Sequence, residues 1–159
     1  MKILAIDPGN TQSGYAVVNM PDFELLDFGK EDNETLLTRI GILKHAVDAV
    51  AIEMVACYGM PVGKDVFDTC VWIGRFYQQL LPCVAHYIYR KDEKITLCNS
   101  LKAKDSNIKQ ALVNRYAKHD FKNGKGVKKN PDTFYGVSKD VWQAIAVGVT
   151  YAEKTENKE

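Results

Sequence analysis

The sequence predicts an α/β protein built on a five-stranded mixed sheet, its first three strands antiparallel, with helices on both faces. Three observations carry that expectation. The chain opens on three short apolar runs separated by turn residues, "KILAID", "SGYAVVN" and "FELLDFG", which is the pattern of a β-meander. From about residue 33 the apolar positions recur at helical spacing instead. Two further strand-like runs lie among the helices, "DAVAIEMV" at 48–55 and part of "HYIYRKDEKITLC" at 86–98.

Each element has its own justification. Residues 2–7 are almost continuously apolar and read as a central strand covered on both faces. Pro8-Gly9-Asn10 and Met20-Pro21-Asp22 supply the turns to the second and third strands. Residues 33–47 place Leu36, Leu37, Ile40, Leu43 and Val47 on one helical face, with Asn33 as N-cap before Glu34. "YGMPVGKD" at 58–65 is a glycine-rich loop. A helix over 65–81 is expected to bury Phe67, Cys70, Val71, Gly74, Tyr77 and Leu81, and Pro82 to end it. The fifth strand lies within 86–98, and a helix over 105–118 turns Ile108, Ala111, Leu112 and Tyr116 inward. Residues 119–137 carry breakers throughout and read as a mobile loop. The last helix, 138–154, buries Val141, Ile145, Gly148, Val149 and Ala152. No internal repeat or linker divides the chain, which reads as one domain over 1–154 with a frayed tail at 155–159.

Composition narrows the class. In 159 residues, 46% are hydrophobic and 26% charged, the balance of a soluble globular domain. The longest late apolar run, 144–152, is too short to span a bilayer, and no secretory pattern precedes Ile3. Cys57, Cys70, Cys83 and Cys98 have no CxxC spacing and lie in apolar segments, so they are expected to be reduced core thiols of a cytoplasmic protein. Net charge is only +1, but it is unevenly spread. Residues 1–50 hold four Lys/Arg against eight Asp/Glu, a net of −4, whereas residues 101–130 hold nine against two, a net of +7. A basic face of that density suits a polyanion, although a solvated helix face is the commoner fate of lysines.

The acids carry the functional signal. Asp7 closes the first strand and Glu53 the fourth. If those strands are parallel neighbours, both carboxylates emerge at one sheet edge. The final helix offers Asp140 in its first turn, with Gln143 one turn on. Singly, each has a plain structural reading: a turn residue, a rim charge, a first-turn helix acid. Together, three carboxylates would repel unless some were protonated or a hard divalent cation joined them. Two Mg2+ or Mn2+ ions at roughly 3.5–4 Å could hold a scissile phosphate between them.

"AIDPGNTQSGYAVV", "AIEMV" and "KDVWQAIAVGVTYA" resemble, in order and over nearly the whole chain, the three acidic motifs of RuvC-type Holliday junction resolvases, within the ribonuclease-H-like superfamily. "LCNSLKAKDSNIKQAL" at 97–112 is similar to the basic segment of compact, phage-type members. The resemblance implies a ribonuclease-H-like fold and a homodimeric, metal-dependent endonuclease of recombination and repair that makes paired nicks in four-way DNA. The acids map to Asp7, Glu53 and Asp140 as metal ligands. Bacterial members have a fourth acid three residues after the third, and here that slot is Gln143. A natural three-acid centre, a weakened second ion site and a deliberate replacement of an acid by its amide all remain open readings.

For DNA, Lys102 and Lys104 lie between the fifth strand and the next helix, where the resemblance puts them beside the acids. Lys125, Lys128 and Lys129 lie in the long loop. Tyr58 or Met60, after the second acid, could wedge into a junction. Phe67, Trp72, Phe76 and Tyr77 wrap more than one face of their helix, a surplus that suits a dimer contact. Two rivals stand beside the nuclease. One is a branched-DNA-binding protein with weak or no cleavage. The other is an actin- or sugar-kinase-type nucleotide module, since "IDPGNTQSG" resembles its phosphate loop; that architecture needs a second lobe and well over twice this length. Neither a nucleotide cofactor nor a membrane is expected.

Overall fold

In the computed structural model, residues 1–157 are described. Strands β1 (Lys2–Asp7), β2 (Gln12–Asn19) and β3 (Glu24–Asp32) form the antiparallel meander. Strand β4 (Ala49–Met54) pairs parallel with β1, and β5 (Ala85–Tyr89) parallel with β4. The sheet order is β3-β2-β1-β4-β5, and the five-stranded mixed sheet with its first three strands antiparallel is the one the sequence predicts.

The period-2 alternation of β1 divides the core. Leu4 and Ile6 join Tyr15 and Val17 under α1 (Asn33–Leu43) and α2 (Lys64–Leu80), in a cluster with Leu36, Ile40, Ile73 and Phe76. Ile3 joins Ala16 and Val18 on the opposite face. There α5 (Lys139–Glu156) lies across the sheet, flanked by α3 (Arg90–Cys98) and α4 (Asp105–Tyr116). Gly148 lets α5 approach closely: a Cβ there would stand 3.0 Å from Val18 and 3.2 Å from Ala5.

Several expectations need correction. Helix α1 stops at Leu43 rather than residue 47, because the chain must turn for Asp48 N–H to reach Lys2 O at 2.8 Å and enter β4. Its N-cap is Asp32, and Asn33 is buried instead. Helix α2 is rotated from the expected face. Thr69, Ile73, Phe76 and Leu80 are inward, while Phe67 (60% exposed), Val71 and Leu81 face out. Two apolar stripes satisfy the same period, and the one that meets α1 and the sheet is the one buried.

The segment 86–98 is not mainly strand. β5 ends at Tyr89, whose N–H donates to Asp92 Oδ2 at 3.0 Å, and that cap starts α3. Lys102 and Lys104 therefore follow a helix, not a strand. The segment 119–137 is a built loop, with a small ribbon of β6 (Gly126–Val127) and β7 (Asn130–Pro131). Asp132 organises it, accepting the backbone N–H groups of Lys118, His119, Asp120 and Thr133. Cys57 is exposed and the other three cysteines half-buried; all four are free. α5 continues through Glu156, so of the expected tail Thr155 and Glu156 are helical and residues 158–159 lie outside the described residues. Among the described residues no helix is long and apolar enough to cross a membrane.

Candidate active site

Asp7 and Glu53 occupy matching positions at the C-terminal ends of β1 and β4, since Ile6 pairs with Ile52 in the parallel register. Immediately after Asp7 the chain folds back through Pro8 and Gly9. This turn is fastened by Gly9 N–H to Ser13 Oγ (3.0 Å), Ser13 Oγ to Asn33 Oδ1 (2.6 Å) and Asn33 Nδ2 to Gly9 O (2.9 Å). A side chain at Gly9 would collide with the Gln12 carbonyl. Polar residues that look like turn formers in sequence thus fix where Asp7 points.

Asp140 arrives from the other side. Gly14 pairs with Asp7 across β1 and β2, and a Cβ at Gly14 would lie 2.5 Å from the Asp140 carbonyl oxygen. Only a glycine lets the first turn of α5 sit there. Asp7 and Asp140 consequently line one cleft with Lys30, whose Nζ stands 2.5 Å from Asp140 Oδ2. Glu53 lines a second cleft with Tyr58 and Arg90.

Electrostatics mark the acids as strained in the absence of a cation. Burial pushes the Asp7 carboxyl up to about 8, helped by the charge of Glu53, a hydrogen bond to it and the charge of Asp140; Arg90 opposes the shift. Burial raises Glu53 as well, against the pull of Arg90 and the bond from Asp7. Half-buried carboxyls so placed share a proton or bind a cation. Their oxygens suit a hard divalent ion, and the donor set fits one. Among the described residues, however, no three His, Cys, Asp or Glu side chains stand together tightly enough to ligate an ion as they are. Asp7 and Glu53 form a pair, and Asp140 is drawn aside to Lys30.

Gln143 does not stand free. Its Oε1 accepts from Arg90 Nη1, which also donates to Glu93 Oε2 at 2.6 Å, while Arg90 Nη2 binds Asp105 Oδ1. The Glu93 side chain is fully buried, and burial followed by the charge of Glu53 pushes its carboxyl up to about 9. Sequence reasoning missed Arg90, Glu93 and Asp105 together. Had the strand been ended at Tyr89, Arg90 would have stood out as the residue leaving β5 at the same edge as Glu53, since Glu53 pairs with Ile88.

The basic residues divide into two groups. Lys109, Lys125 and Lys139 line a cavity of about 230 Å³ with Asp105, Trp142 and Gln143, so Lys125 shares a cavity with Gln143 rather than with the three acids, and brings two lysines the sequence did not single out. Lys102 and Lys104 are exposed in the turn before α4, and Lys128 and Lys129 are exposed at the tip of the β6–β7 ribbon. Tyr58 and Met60 are 67% and 72% exposed, and Tyr58 holds a positive φ of 48°. That backbone carries the ring into the wall of the Glu53 cleft.

No protein-family model matches the sequence, and no curated protein matches it. Solved structures do resemble its fold. RuvC of Thermus thermophilus in complex with a Holliday junction substrate superposes with a TM-score of 0.77 at 15% identity, over 99% of this chain and 96% of the other. A second Thermus thermophilus RuvC structure gives 0.71 at 18% identity, over 99% and 97%. With these TM-scores and near-complete mutual coverage, the chain has the ribonuclease-H-like fold of RuvC.

Proposed function

We propose that this protein is a divalent-metal-dependent endonuclease that cuts four-way and other branched DNA, acting as a homodimer. The observation that carries the reading is the half-buried Asp7–Glu53 carboxyl pair at one sheet edge, with Asp140 and Lys30 in the adjoining cleft. Asp7 and Glu53 would hold a Mg2+ or Mn2+ ion, and Asp140 would join them by leaving Lys30. An ion there supplies Lewis acidity toward a phosphate oxygen and lowers the pKa of an attacking water. The chain's own side chains do the rest. Asp7, whose carboxyl burial pushes up to about 8, would give up its proton, and with Glu53 would supply the donor oxygens. Lys30, released from Asp140, can neutralise a backbone phosphate. Lys109, Lys125 and Lys139 grip the strand leaving the site, while Lys102, Lys104, Lys128 and Lys129 engage phosphates further out and make affinity salt-dependent. The exposed Tyr58 ring is suited to stacking on an unpaired base at a branch point.

Branched DNA is favoured over linear because Thermus thermophilus RuvC, with the same fold, is a protein solved on a Holliday junction substrate. The dimer reading rests on Phe67 and Val71, one turn apart and exposed on the outer face of α2, since paired nicks need two sites about a two-fold axis. The test is a synthetic four-way junction labelled on each strand and incubated with Mg2+ or Mn2+. Nicks in opposing strands, abolished in Asp7→Asn while binding persists, are expected; binding without metal-dependent nicks would refute the nuclease. The binding-only alternative draws on one specific contact, the engagement of Gln143 by Arg90, which occupies the place of a further acid.

A further inference from the structure

We propose that the Arg90 guanidinium takes the place of a second metal ion, so that the centre works with one divalent cation and one arginine. The inference rests on the nuclease reading and refines the two-ion expectation. The fourth-acid slot is Gln143, a neutral acceptor, and a cation already lies against it: Arg90 Nη1 donates to Gln143 Oε1. That cation is fixed from behind. Glu93 Oε2 receives Nη1 at 2.6 Å, and Asp105 Oδ1 receives Nη2. Glu93 is 0% exposed, and its Oε1 has no hydrogen-bond partner. A fully buried carboxyl one turn from Arg90, with one oxygen left unpartnered, is costly to maintain, and what it does here is anchor the guanidinium.

The geometry is economical. A glutamine that would hold a second ion only weakly instead orients a fork of fixed charge. Arg90 lines the same cleft as Glu53, and its charge acts on both Asp7 and Glu53. A guanidinium has five N–H donors; three are engaged by Gln143, Glu93 and Asp105. The remainder can meet non-bridging oxygens of a phosphate lying against the Asp7–Glu53 pair, offsetting negative charge that grows as the leaving oxygen departs. Arg90 is then a catalytic residue and Glu93 a positioning residue.

The test counts ions as well as rates. Mn2+ is titrated calorimetrically and by electron paramagnetic resonance into the wild-type protein, Asp7→Asn, Arg90→Ala, Glu93→Gln and the double variant Arg90→Ala/Gln143→Asp. The wild type is expected to bind one ion per chain, lost in Asp7→Asn, and the double variant two. Arg90→Ala should lose on the order of 10³-fold in single-turnover cleavage, the scale of a removed transition-state arginine, with junction affinity little changed. Glu93→Gln should lose less, and its loss should grow as the reaction is assayed with shorter DNA arms that position the phosphate poorly. Two ions per wild-type chain would overturn the proposal, as would a wild-type rate in Arg90→Ala. Should Arg90→Ala melt cooperatively near room temperature, the wild-type ion count still decides. A protein that binds one ion, and two in the double variant, yet nicks no DNA would refute the nuclease reading while leaving the arginine in the second cation's place.

Discussion

Gly14→Ala isolates how the strand and helix frameworks set the site. The substitution adds one methyl group on β2, opposite Asp7 in the ladder. That carbon would lie 2.5 Å from Asp140 O, 2.8 Å from Asp140 C and 3.1 Å from Asp140 Cβ, whereas ordinary contact begins at about 3.4 Å. The obstacle is helix backbone, so no side-chain rotation relieves it. The first turn of α5 must retreat by roughly 1 Å, taking Asp140 with it. Overpacking of this kind costs about 1–3 kcal/mol, which in a chain of this length lowers Tm by roughly 2–4 °C per kcal/mol. A 1 Å displacement of a reacting group costs up to about 10²-fold in rate. The assays are calorimetric melting and single-turnover junction cleavage in Mg2+, with binding measured on the same DNA. A lower Tm, a rate reduced between ten- and a hundredfold, and unaltered DNA affinity are expected. An unchanged Tm with a wild-type rate would refute the close approach of α5 to β2.

Other outcomes follow from the same structure. Because Asp7 is raised from 3.8 to about 8 in the fold, the stabilisation tied to its protonated form is complete below pH 4 and is lost as the pH climbs toward 8. The metal-free protein should therefore melt lower at pH 8 than at pH 5, with a shallower slope in Asp7→Asn and a slope reversed by excess Mg2+; a metal-free Tm that rises over this range would contradict the carboxyl pairing. Lys128→Ala/Lys129→Ala should reduce the slope of log K against log salt by about 1.8, the value for two phosphate contacts, and an unaltered slope removes the ribbon tip from the DNA face. Burial works to raise Asp132, but the N–H groups of Asp120, His119, Lys118 and Thr133 outweigh it and hold the carboxyl well below its ordinary range. The stability it contributes is present above pH 4 and lost at lower pH, so Asp132→Asn should lower Tm at pH 7, and the gap between wild type and variant should narrow at pH 3. Phe67→Glu, on the exposed stripe of α2, should yield monomers in sedimentation equilibrium and single rather than paired nicks; a dimer that survives would move the interface elsewhere.

How far the sequence was legible depends on how local the physics is. Asp7 and Glu53 could be placed at one edge because each ends a nearly continuous apolar strand, and β1 and β4 are indeed parallel neighbours. The helix that brings Asp140 could be read from its unbroken apolar face, and Val141, Ile145, Val149 and Ala152 are all buried. Boundaries decided by single hydrogen bonds were hidden. Asp92 capping the Tyr89 N–H turns an apparent long strand into β5 and α3, and with that the place of Arg90 was lost. The face of α2 could not be chosen from periodicity, since Phe67 and Val71 match the period as well as Ile73 and Leu80 do. The loop at 119–137 looked mobile because its order comes from one carboxylate, Asp132, gathering N–H groups from both sides. The pairing of Asp140 with Lys30 depends on β3 reaching the cleft, a tertiary fact without a sequence signature.

Crystals of the protein soaked in Mn2+ and measured at the manganese absorption edge offer the most direct check on the carboxyl pair as a cation site. An anomalous peak bonded to oxygens of both Asp7 and Glu53, with Asp140 swung away from Lys30 toward it, is the expected result. Density that leaves those two carboxyls hydrogen-bonded to each other at saturating Mn2+ and pH 8, with the ion absent or held elsewhere, would contradict it.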